Sequence, residues 1–306
     1  MPIKLSRKPF GEFTLHTIGN EESYISFVPE RSAYIHQIRL SGIDILDNYV
    51  SGVDLKGNSG YKNLALLPFP NRLFEGKYEW AGRLYEMEVN DNNNRSALHG
   101  FGPTVPFVVE RFAVSTSQAS VKLTYLHRPQ EHPDSYPFLI RFELTLGIDV
   151  KANTASWNLS ATNLGKQSAP VGLGWHPYFL LPGGHEKWSL EMPANEQVVL
   201  AKAMPTHERR PGPRTTSIDI NWDDCFALSD PEDLEIKLLG PLYSLSLKQL
   251  ESTRYTQIYV PGDKKGIAIE PMTCGVNAFN VSKGEVQLSP KQILKTGLVI
   301  GLRHSS

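Results

Sequence analysis

The stretch IRFELTL, residues 140–146, decides the fold class of this chain. Large apolar residues alternate in it with polar ones, and successive side chains of an extended strand point to opposite faces of a sheet. Residues 140, 142, 144 and 146 therefore face a core, and the residues between them face away from it. The pattern predicts a half-buried strand within the longer segment 138–150.

Segments of the same kind recur along the chain and predict an all-β protein. They lie at 120–127, 155–163, 234–240, 243–250 and 256–260, among 24 glycines and 22 prolines that interrupt regular structure. No stretch of ten or more residues has the 3.6-residue apolar period of a helix. Turn-rich stretches at 91–96, 181–186 and 209–217 are too short to be linkers between domains. We expect one domain, residues 1–306, built as a large antiparallel sandwich.

Composition excludes several classes of partner. The 306 residues have a formal net charge of -1, which favours neither a nucleic acid nor an anionic membrane surface. No apolar segment near the start has the length of a signal peptide core, and no run approaches the roughly 18 apolar residues of a membrane span. The two cysteines, Cys225 and Cys274, form neither a CxxC pair nor a metal-binding spacing. A cytoplasmic location is the simplest interpretation.

Polar residues stand out in five places where their surroundings are apolar or rich in turns. Each also has a purely structural interpretation: a surface salt bridge, a turn histidine, a core histidine, a solvated turn and a strand end, in chain order. A carboxylate at the end of a β-branched run is costly to bury unless something pairs with it or uses it. The five places are Asn71-Arg72 in PNRLF, His99 in ALHGF, His176 in GWHPYF, Asp223 in DDCFAL and Glu270 in GIAIEPM.

Taken in order, these segments resemble the aldose 1-epimerase (galactose mutarotase) family. The similarity includes NRLFEGKYEWAG with ALHGF, then GWHPYFLL, DDCFAL, YTQIYV and IAIEPMTCGVNAFN. It extends from about residue 30, where SAYIHQIRLSGIDIL resembles the family's opening hairpin, to GLVIGLRH near the end. Met272 after Glu-Pro and Pro177 in the histidine motif depart from the pattern of many members, so the identity of the sugar is left open.

The resemblance implies a galactose-mutarotase-like β-sandwich, or supersandwich, of some twenty strands. It implies exchange between the α and β anomers of a free aldose, a small-molecule sugar substrate, and no metal or redox cofactor. Glu270 would be the general base and His176 the general acid. Sugar hydroxyls would be bound by Asn71, Arg72, His99, Asp223 and Gln257.

This chemistry needs one ionised and one protonated side chain at the same pH. A carboxylate with a reference pKa of about 4.3 and an imidazole at about 6.5 would meet that need with little adjustment. The rate should then fall in acid as Glu270 protonates and in alkali as His176 loses its proton. Trp175, Tyr178 or Phe279 could pack on the sugar ring, although each could equally belong to the core.

Two other functions stay open at the level of the sequence. A hexose 6-phosphate epimerase would need cations for the phosphate, and Arg209, Arg210 and Arg214 lie in a predicted turn that could supply them. A non-catalytic carbohydrate-binding module would keep the hydroxyl ligands but would not need both His176 and Glu270. The chain could be a monomer or a homodimer.

Overall fold

The structure is a computed structural model, and it describes residues 2–202, 204–218, 222–230, 234–250, 252–263 and 265–305. Its helices are few and short, as the sequence predicts. They are α1 (Gly52–Gly57), α2 (Ala278–Val281) and α3 (Lys283–Val286), with 3-10 turns at Ser59–Tyr61, Gly102–Thr104 and His185–Lys187. Among the described residues, no helix has the length and apolar character needed to cross a membrane.

Strands make up most of the ordered structure, and they number 28 within the described ranges. The first half of the chain contains β1 (Lys4–Phe10), β2 (Phe13–Gly19), β3 (Tyr24–Val28), β4 (Tyr34–Leu40), β5 (Ile43–Asp44), β6 (Ala65–Leu66), β7 (Arg72–Phe74), β8 (Lys77–Trp80), β9 (Arg83–Glu86), β10 (Ser96–Leu98), β11 (Val108–Val114), β12 (Gln118–His127), β13 (Ile140–Asp149) and β14 (Thr154–Asn163). The second half contains β15 (Ala169–Pro170), β16 (Gly174–Trp175), β17 (Tyr178–Phe179), β18 (Ser189–Glu191), β19 (Asn195–Ala201), β20 (Met204–Pro211), β21 (Thr215–Ser217), β22 (Asp223–Leu228), β23 (Glu235–Leu239), β24 (Tyr243–Gln249), β25 (Tyr255–Tyr259), β26 (Ile267–Met272), β27 (Gln287–Leu288) and β28 (Ile293–His304).

Three large antiparallel sheets form the body of the fold. The first contains β1 to β5 in chain order. The second has nine strands in the order β11-β12-β13-β14-β28-β24-β23-β18-β21. The third has eight strands: β20-β19-β22-β25-β26-β16-β6 in that order, and β17, which pairs with β26. The strand segments predicted from alternation lie in the second or third sheet, and the opening hairpin corresponds to β4 and β5 of the first.

The alternation that predicts the sandwich is realised in β13. Its residues 140, 142, 144 and 146 are fully or almost fully buried, and Arg141 between them is exposed. Across the core, Trp157 of β14 stacks on Trp175 of β16 at 5.3 Å between ring centroids. This contact joins the nine-stranded sheet to the eight-stranded one. One continuous apolar core extends from Ile18 to Leu302, in keeping with the single domain over 1–306, which stays a prediction.

Two local predictions are wrong. Arg209 and Arg210 lie in β20 rather than in a turn, because their backbone pairs with Val198 and Gln197 of β19. Only the residues after Pro211 leave the strand. Glu270 does not end its strand either, since β26 continues through Pro271 to Met272.

Candidate active site

A pocket of about 290 Å³ opens on the face of the eight-stranded sheet that points away from the core. In β25 and β26, Ile258 and Ile269 pack into the core, so their neighbours Gln257 and Glu270 face the pocket. All seven residues selected from the sequence line this one pocket: Asn71, Arg72, His99, His176, Asp223, Gln257 and Glu270. The fold therefore brings them together, while their individual roles stay predictions.

His176 and Glu270 meet because of strand register. β26 pairs with Gly174 through Met272 and with Tyr178 through Ala268, which places residue 176 opposite residue 270. The chain leaves the strand ladder there, between β16 and β17, at the Pro177 that cannot donate a hydrogen bond. His176 Nε2 lies 3.3 Å from Glu270 Oε1, and both side chains are nearly inaccessible to solvent.

Burial changes the proton balance of this pair. It lowers the pKa of His176 to about 3, because the imidazolium would lose its hydration. Burial also raises the pKa of Glu270 well above its usual range, with a further increase from the charge of Asp223 and an opposing effect of Arg72. Both shifts favour the neutral arrangement, with the proton on Glu270, over the ion pair with the proton on His176. The expectation that the two groups need little adjustment of their pKa values is wrong for these buried side chains.

Each member of the pair also has a buried polar atom with unused capacity. Among the described residues, neither His176 Nδ1 nor Glu270 Oε2 has a hydrogen-bond partner. Unpaired buried polar atoms are uncommon in proteins and destabilise the fold. Their presence in one pocket fits a site whose bound ligand supplies hydrogen bonds.

A chain of side-chain hydrogen bonds crosses the floor of the pocket. Asn71 Nδ2 donates to Gln257 Oε1 at 3.0 Å, and Gln257 Nε2 donates to Asp223 Oδ1 at 2.6 Å. Asn71 Oδ1 accepts from the Arg72 backbone N–H at 2.8 Å. Asn71 is thus largely engaged with its neighbours, whereas Asp223 at the far end is half-exposed and keeps acceptor capacity for a hydroxyl group.

Arg72 lies between two carboxylates at the rim. Its Nε is 3.4 Å from Asp91 Oδ2, and its second terminal nitrogen is 3.5 Å from Asp223 Oδ2. Asn94 donates to Asp91 at 2.7 Å and fixes that carboxylate. Asp223 contacts Arg72 and Gln257.

His99 is held as a neutral hydrogen-bond donor. The Asn71 backbone N–H donates to His99 Nδ1 at 3.1 Å, so the ring hydrogen is on Nε2. Burial lowers the pKa of His99 well below its usual value, and the charges of His176 and Arg72 act in the same direction. Asn71 and His99 both have left-handed backbones, with φ of 58° and 61°, a conformation found often at binding sites.

The aromatic residues separate into pocket and core. Tyr178 lines the pocket, and its ring stacks on the His176 ring with centroids 5.1 Å apart and planes 5° from parallel. Trp175 is buried against Trp157, and Phe279 packs on Phe69 and Tyr78, so both belong to the core. Of the three aromatic candidates from the sequence, only Tyr178 can contact a sugar.

Sequence reasoning missed part of the pocket wall. Asp91 and Asn94 lie in the stretch 91–96, which the sequence predicts only as a turn, and Leu98 and Tyr259 lie inside the motifs ALHGF and YTQIYV without having been selected. The missed residues are Gly60, Tyr61, Asp91, Asn94, Leu98 and Tyr259. Within the described ranges, no group of three or more His, Cys, Asp or Glu side chains is placed to hold a metal ion.

The fold and this pocket together define a class: an all-β sandwich of the galactose mutarotase type, with a buried carboxyl–imidazole pair among polar side chains. The aldose 1-epimerase family profile matches residues 15–301, and the chain belongs to this family. The uncharacterized protein YihR of Escherichia coli K12 is 26% identical over 230 residues, which are 70% of each chain.

Solved structures share the whole fold. A galactose mutarotase-like protein from Clostridium acetobutylicum superposes with a TM-score of 0.88 at 16% identity, over 99% of both chains. Galactose 1-epimerase from Lactobacillus acidophilus NCFM gives 0.84 at 15% identity, again over 99% of both chains. At such identities the likeness establishes the fold alone, and the family assignment supports a sugar epimerase or mutarotase role.

Proposed function

We propose that this protein interconverts the α and β anomers of a neutral aldose by general acid–base catalysis. The observation that carries the proposal is the buried His176–Glu270 contact of 3.3 Å in a pocket otherwise lined by hydroxyl-binding groups. An acid and a base within reach of one another can act on two oxygens of the same sugar carbon.

The pair can complete the reaction without exchanging a proton with solvent. With the proton on His176, Glu270 removes the hydrogen of the C1 hydroxyl while His176 protonates the ring oxygen, and the C1–ring oxygen bond breaks. The open-chain aldehyde turns about C1–C2. His176 then takes the proton from the hydroxyl group that attacks the aldehyde, and Glu270 returns its proton to the carbonyl oxygen. The other anomer is formed and the pair regains its starting state.

Burial favours the proton position that exists midway through this cycle. Once the ring is open, the proton is on Glu270 and His176 is neutral, which is the arrangement that both pKa shifts favour. The ring-closed complex instead needs the charged arrangement, which the sugar oxygens must stabilise by hydrogen bonding. His99, Arg72 and Asp223 are placed to hold the sugar while this occurs.

The charges of the pocket favour an unphosphorylated substrate. Apart from the His176–Glu270 pair, its charged lining residues are Arg72, Asp91 and Asp223, and Arg72 already contacts both carboxylates. A phosphate group would have to approach these acidic groups. Neutral hydroxyl groups can form hydrogen bonds with both the donors and the acceptors that line the pocket.

The arginines considered for a phosphate lie elsewhere. Arg209 is on β20, four strands from Glu270 on β26, or roughly 19 Å at the usual strand spacing. Its guanidinium donates to the carbonyls of Thr206 and Glu208, and Arg210 forms an ion pair with Glu208. This placement favours the neutral-aldose proposal over the 6-phosphate alternative.

The test is an anomer-exchange assay by polarimetry and by magnetisation-exchange NMR with galactose, glucose, xylose, arabinose and glucose 6-phosphate. We expect acceleration for at least one neutral aldose and its loss in Glu270→Gln. Binding of sugars without any acceleration would support a carbohydrate-binding module instead. A cytoplasmic location, proposed from the two unpaired cysteines, and a monomeric or homodimeric state are separate proposals that fractionation and light scattering would test.

A further inference from the structure

Asn63 lies outside the pocket wall but contacts the segment that carries His176. The residue has no solvent exposure and a left-handed backbone with φ of 57°. Asn is among the non-glycine residues that adopt this conformation most readily. It therefore occupies a position where its side chain has a defined direction and where water cannot replace lost hydrogen bonds.

Asn63 forms hydrogen bonds with three residues of the histidine segment, Trp175, His176 and Tyr178. Its backbone N–H donates to the His176 carbonyl at 2.8 Å, and its carbonyl accepts from Trp175 Nε1 at 3.0 Å. Its side-chain Oδ1 accepts from the Tyr178 backbone N–H at 3.0 Å. The opposite end of the amide is fixed as well, since Nδ2 donates to the Asp47 carbonyl at 2.7 Å.

These bonds hold the segment at the point where strand pairing lapses. Between Trp175 and Tyr178 the pairing with β26 is weakened, because Pro177 has no N–H to donate and only the bond from the Ile269 N–H to the Pro177 carbonyl, at 3.3 Å, remains. The bond to Asn63 Oδ1 also fixes the backbone position of Tyr178, whose ring stacks in parallel on the His176 ring. Asn63 therefore contacts both the backbone of His176, whose N–H separately donates to the Leu64 carbonyl at 3.1 Å, and the residue on whose ring the imidazole stacks.

We propose that Asn63 is a positioning residue that holds the His176 imidazole at reaction distance from Glu270. The inference rests on the proposed function, because His176 has a task only if the pair is catalytic. It extends that function to a side chain with no contact to the substrate. A displacement of about 1 Å at a reacting group can lower a rate by about 10²-fold.

The test compares two glycine substitutions. Asn63→Gly keeps the left-handed backbone and the main-chain hydrogen bonds, and it removes the side-chain bonds to Tyr178, Asp47 and the Tyr34 side chain. Asn153→Gly is the matched control. Asn153 is also left-handed, with φ of 54°, and its side chain likewise donates one bond, to Leu302, and accepts one, from Ser41, in the turn between β13 and β14.

In folded protein, we expect Asn63→Gly to lower kcat by at least about tenfold with KM within about threefold of wild type, and Asn153→Gly to leave both unchanged. In a His176→Asn background, Asn63→Gly should have less than about a threefold further effect, because the group it positions is gone. An equal loss of rate in both backgrounds, or unchanged kcat with a lowered Tm, would overturn the inference.

A second measurement is independent of activity. NMR spectra of protein labelled in its nine histidines identify the His176 ring signal by its loss in His176→Asn. We expect that signal to shift or broaden in Asn63→Gly and not in Asn153→Gly. If wild-type protein accelerates no anomer exchange, the proposed function fails, and an unchanged His176 signal would separately overturn the positioning role. Should Asn63→Gly not fold, Asn63→Ala, which also removes the side-chain bonds to Tyr178 and Asp47, carries the same comparison against Asn153→Ala.

Discussion

His176 Nε2 lies 3.3 Å from Glu270 Oε1, and the two side chains are only 8% and 3% exposed. Two ionisable groups this close and this buried behave as one unit with a shared proton. Burial penalises the charged form of each, so the neutral arrangement with the proton on Glu270 is favoured. The activity, the pH dependence and part of the stability of the protein should all follow from this contact.

Removal of either member should nearly abolish anomer exchange while the fold persists. Glu270→Gln keeps the shape of the side chain but cannot take up the proton, and His176→Asn keeps hydrogen bonding without the acid. We expect each to lower kcat by a factor of about 10² to 10⁴. The double variant should be little worse than either single one, because the two groups serve one concerted step. Polarimetry on folded protein measures all three.

The alternative interpretation of His176 as a core histidine predicts a different result. His176→Asn would then lower Tm while the folded fraction kept near-normal turnover. Measurement of Tm and exchange on the same preparations separates the two interpretations. Near-wild-type exchange in folded Glu270→Gln would remove the main support for the catalytic assignment.

The pH profile of kcat/KM should be a broad bell. Activity requires the singly protonated pair, which is lost in acid when the pair takes up a second proton and in alkali when it loses its last one. Because burial lowers the pKa of His176 to about 3 and raises that of Glu270, the first limb moves to lower pH and the second to higher pH. Both limbs are properties of the pair. The acid limb mainly reflects protonation of His176 and the alkaline limb ionisation of Glu270, which is the reverse of the order expected from reference pKa values. An alkaline limb with its midpoint near the reference pKa of histidine, about 6.5, would contradict this.

Stability should depend on pH through the same carboxyl group. The pKa of Glu270 is raised on folding, so its contribution is fully present below the unfolded pKa and is lost as pH rises toward the folded value. Glu270→Gln has no proton to lose. The Tm of the variant relative to wild type should therefore increase from pH 4 to pH 7.

Differential scanning calorimetry between pH 4 and pH 8 measures this difference. Glu79→Gln, which changes an exposed residue of β8, is the control and should keep a constant offset from wild type. A constant offset for Glu270→Gln as well would mean that Glu270 ionises as easily in the folded protein as in the unfolded chain.

The fold could be predicted from sequence where one face of a strand is buried and the other is not. The period-2 pattern of β13 is of this kind, because the alternation of apolar and polar residues shows which side chains face the core. Local turn signals were less reliable: the Pro and Gly residues after Arg210 suggested a turn, but backbone pairing with β19 extends the strand to Pro211. Pro271 similarly lies inside β26 rather than after it.

The sequence predicted only those site residues that lie in recognisable motifs. His176 and Glu270 are polar residues in apolar runs, which marks them in the sequence. Asn63 has no such mark, because its role depends on hydrogen bonds to residues more than a hundred positions away. The proton balance was predicted wrongly for a related reason, since reference pKa values contain no burial and burial is a property of the assembled sheets.

Substrate charge gives the last prediction. Glucose 6-phosphate should be turned over no faster than glucose, because a phosphate would approach Asp91 and Asp223 at the pocket rim while Arg72 is already paired with both. Arg209→Ala and Arg210→Ala should leave kcat/KM for both sugars unchanged, since these side chains bond to β20 itself, four strands from Glu270 on β26. Arg72→Met is the positive control and should raise KM for neutral aldoses.

The assay compares exchange rates for the two sugars at equal concentration and ionic strength. If glucose 6-phosphate exchanged at least tenfold faster, and Arg209→Ala or Arg210→Ala removed that advantage, the phosphate would have to bind across the sheet edge, and the assignment to neutral aldoses would be wrong.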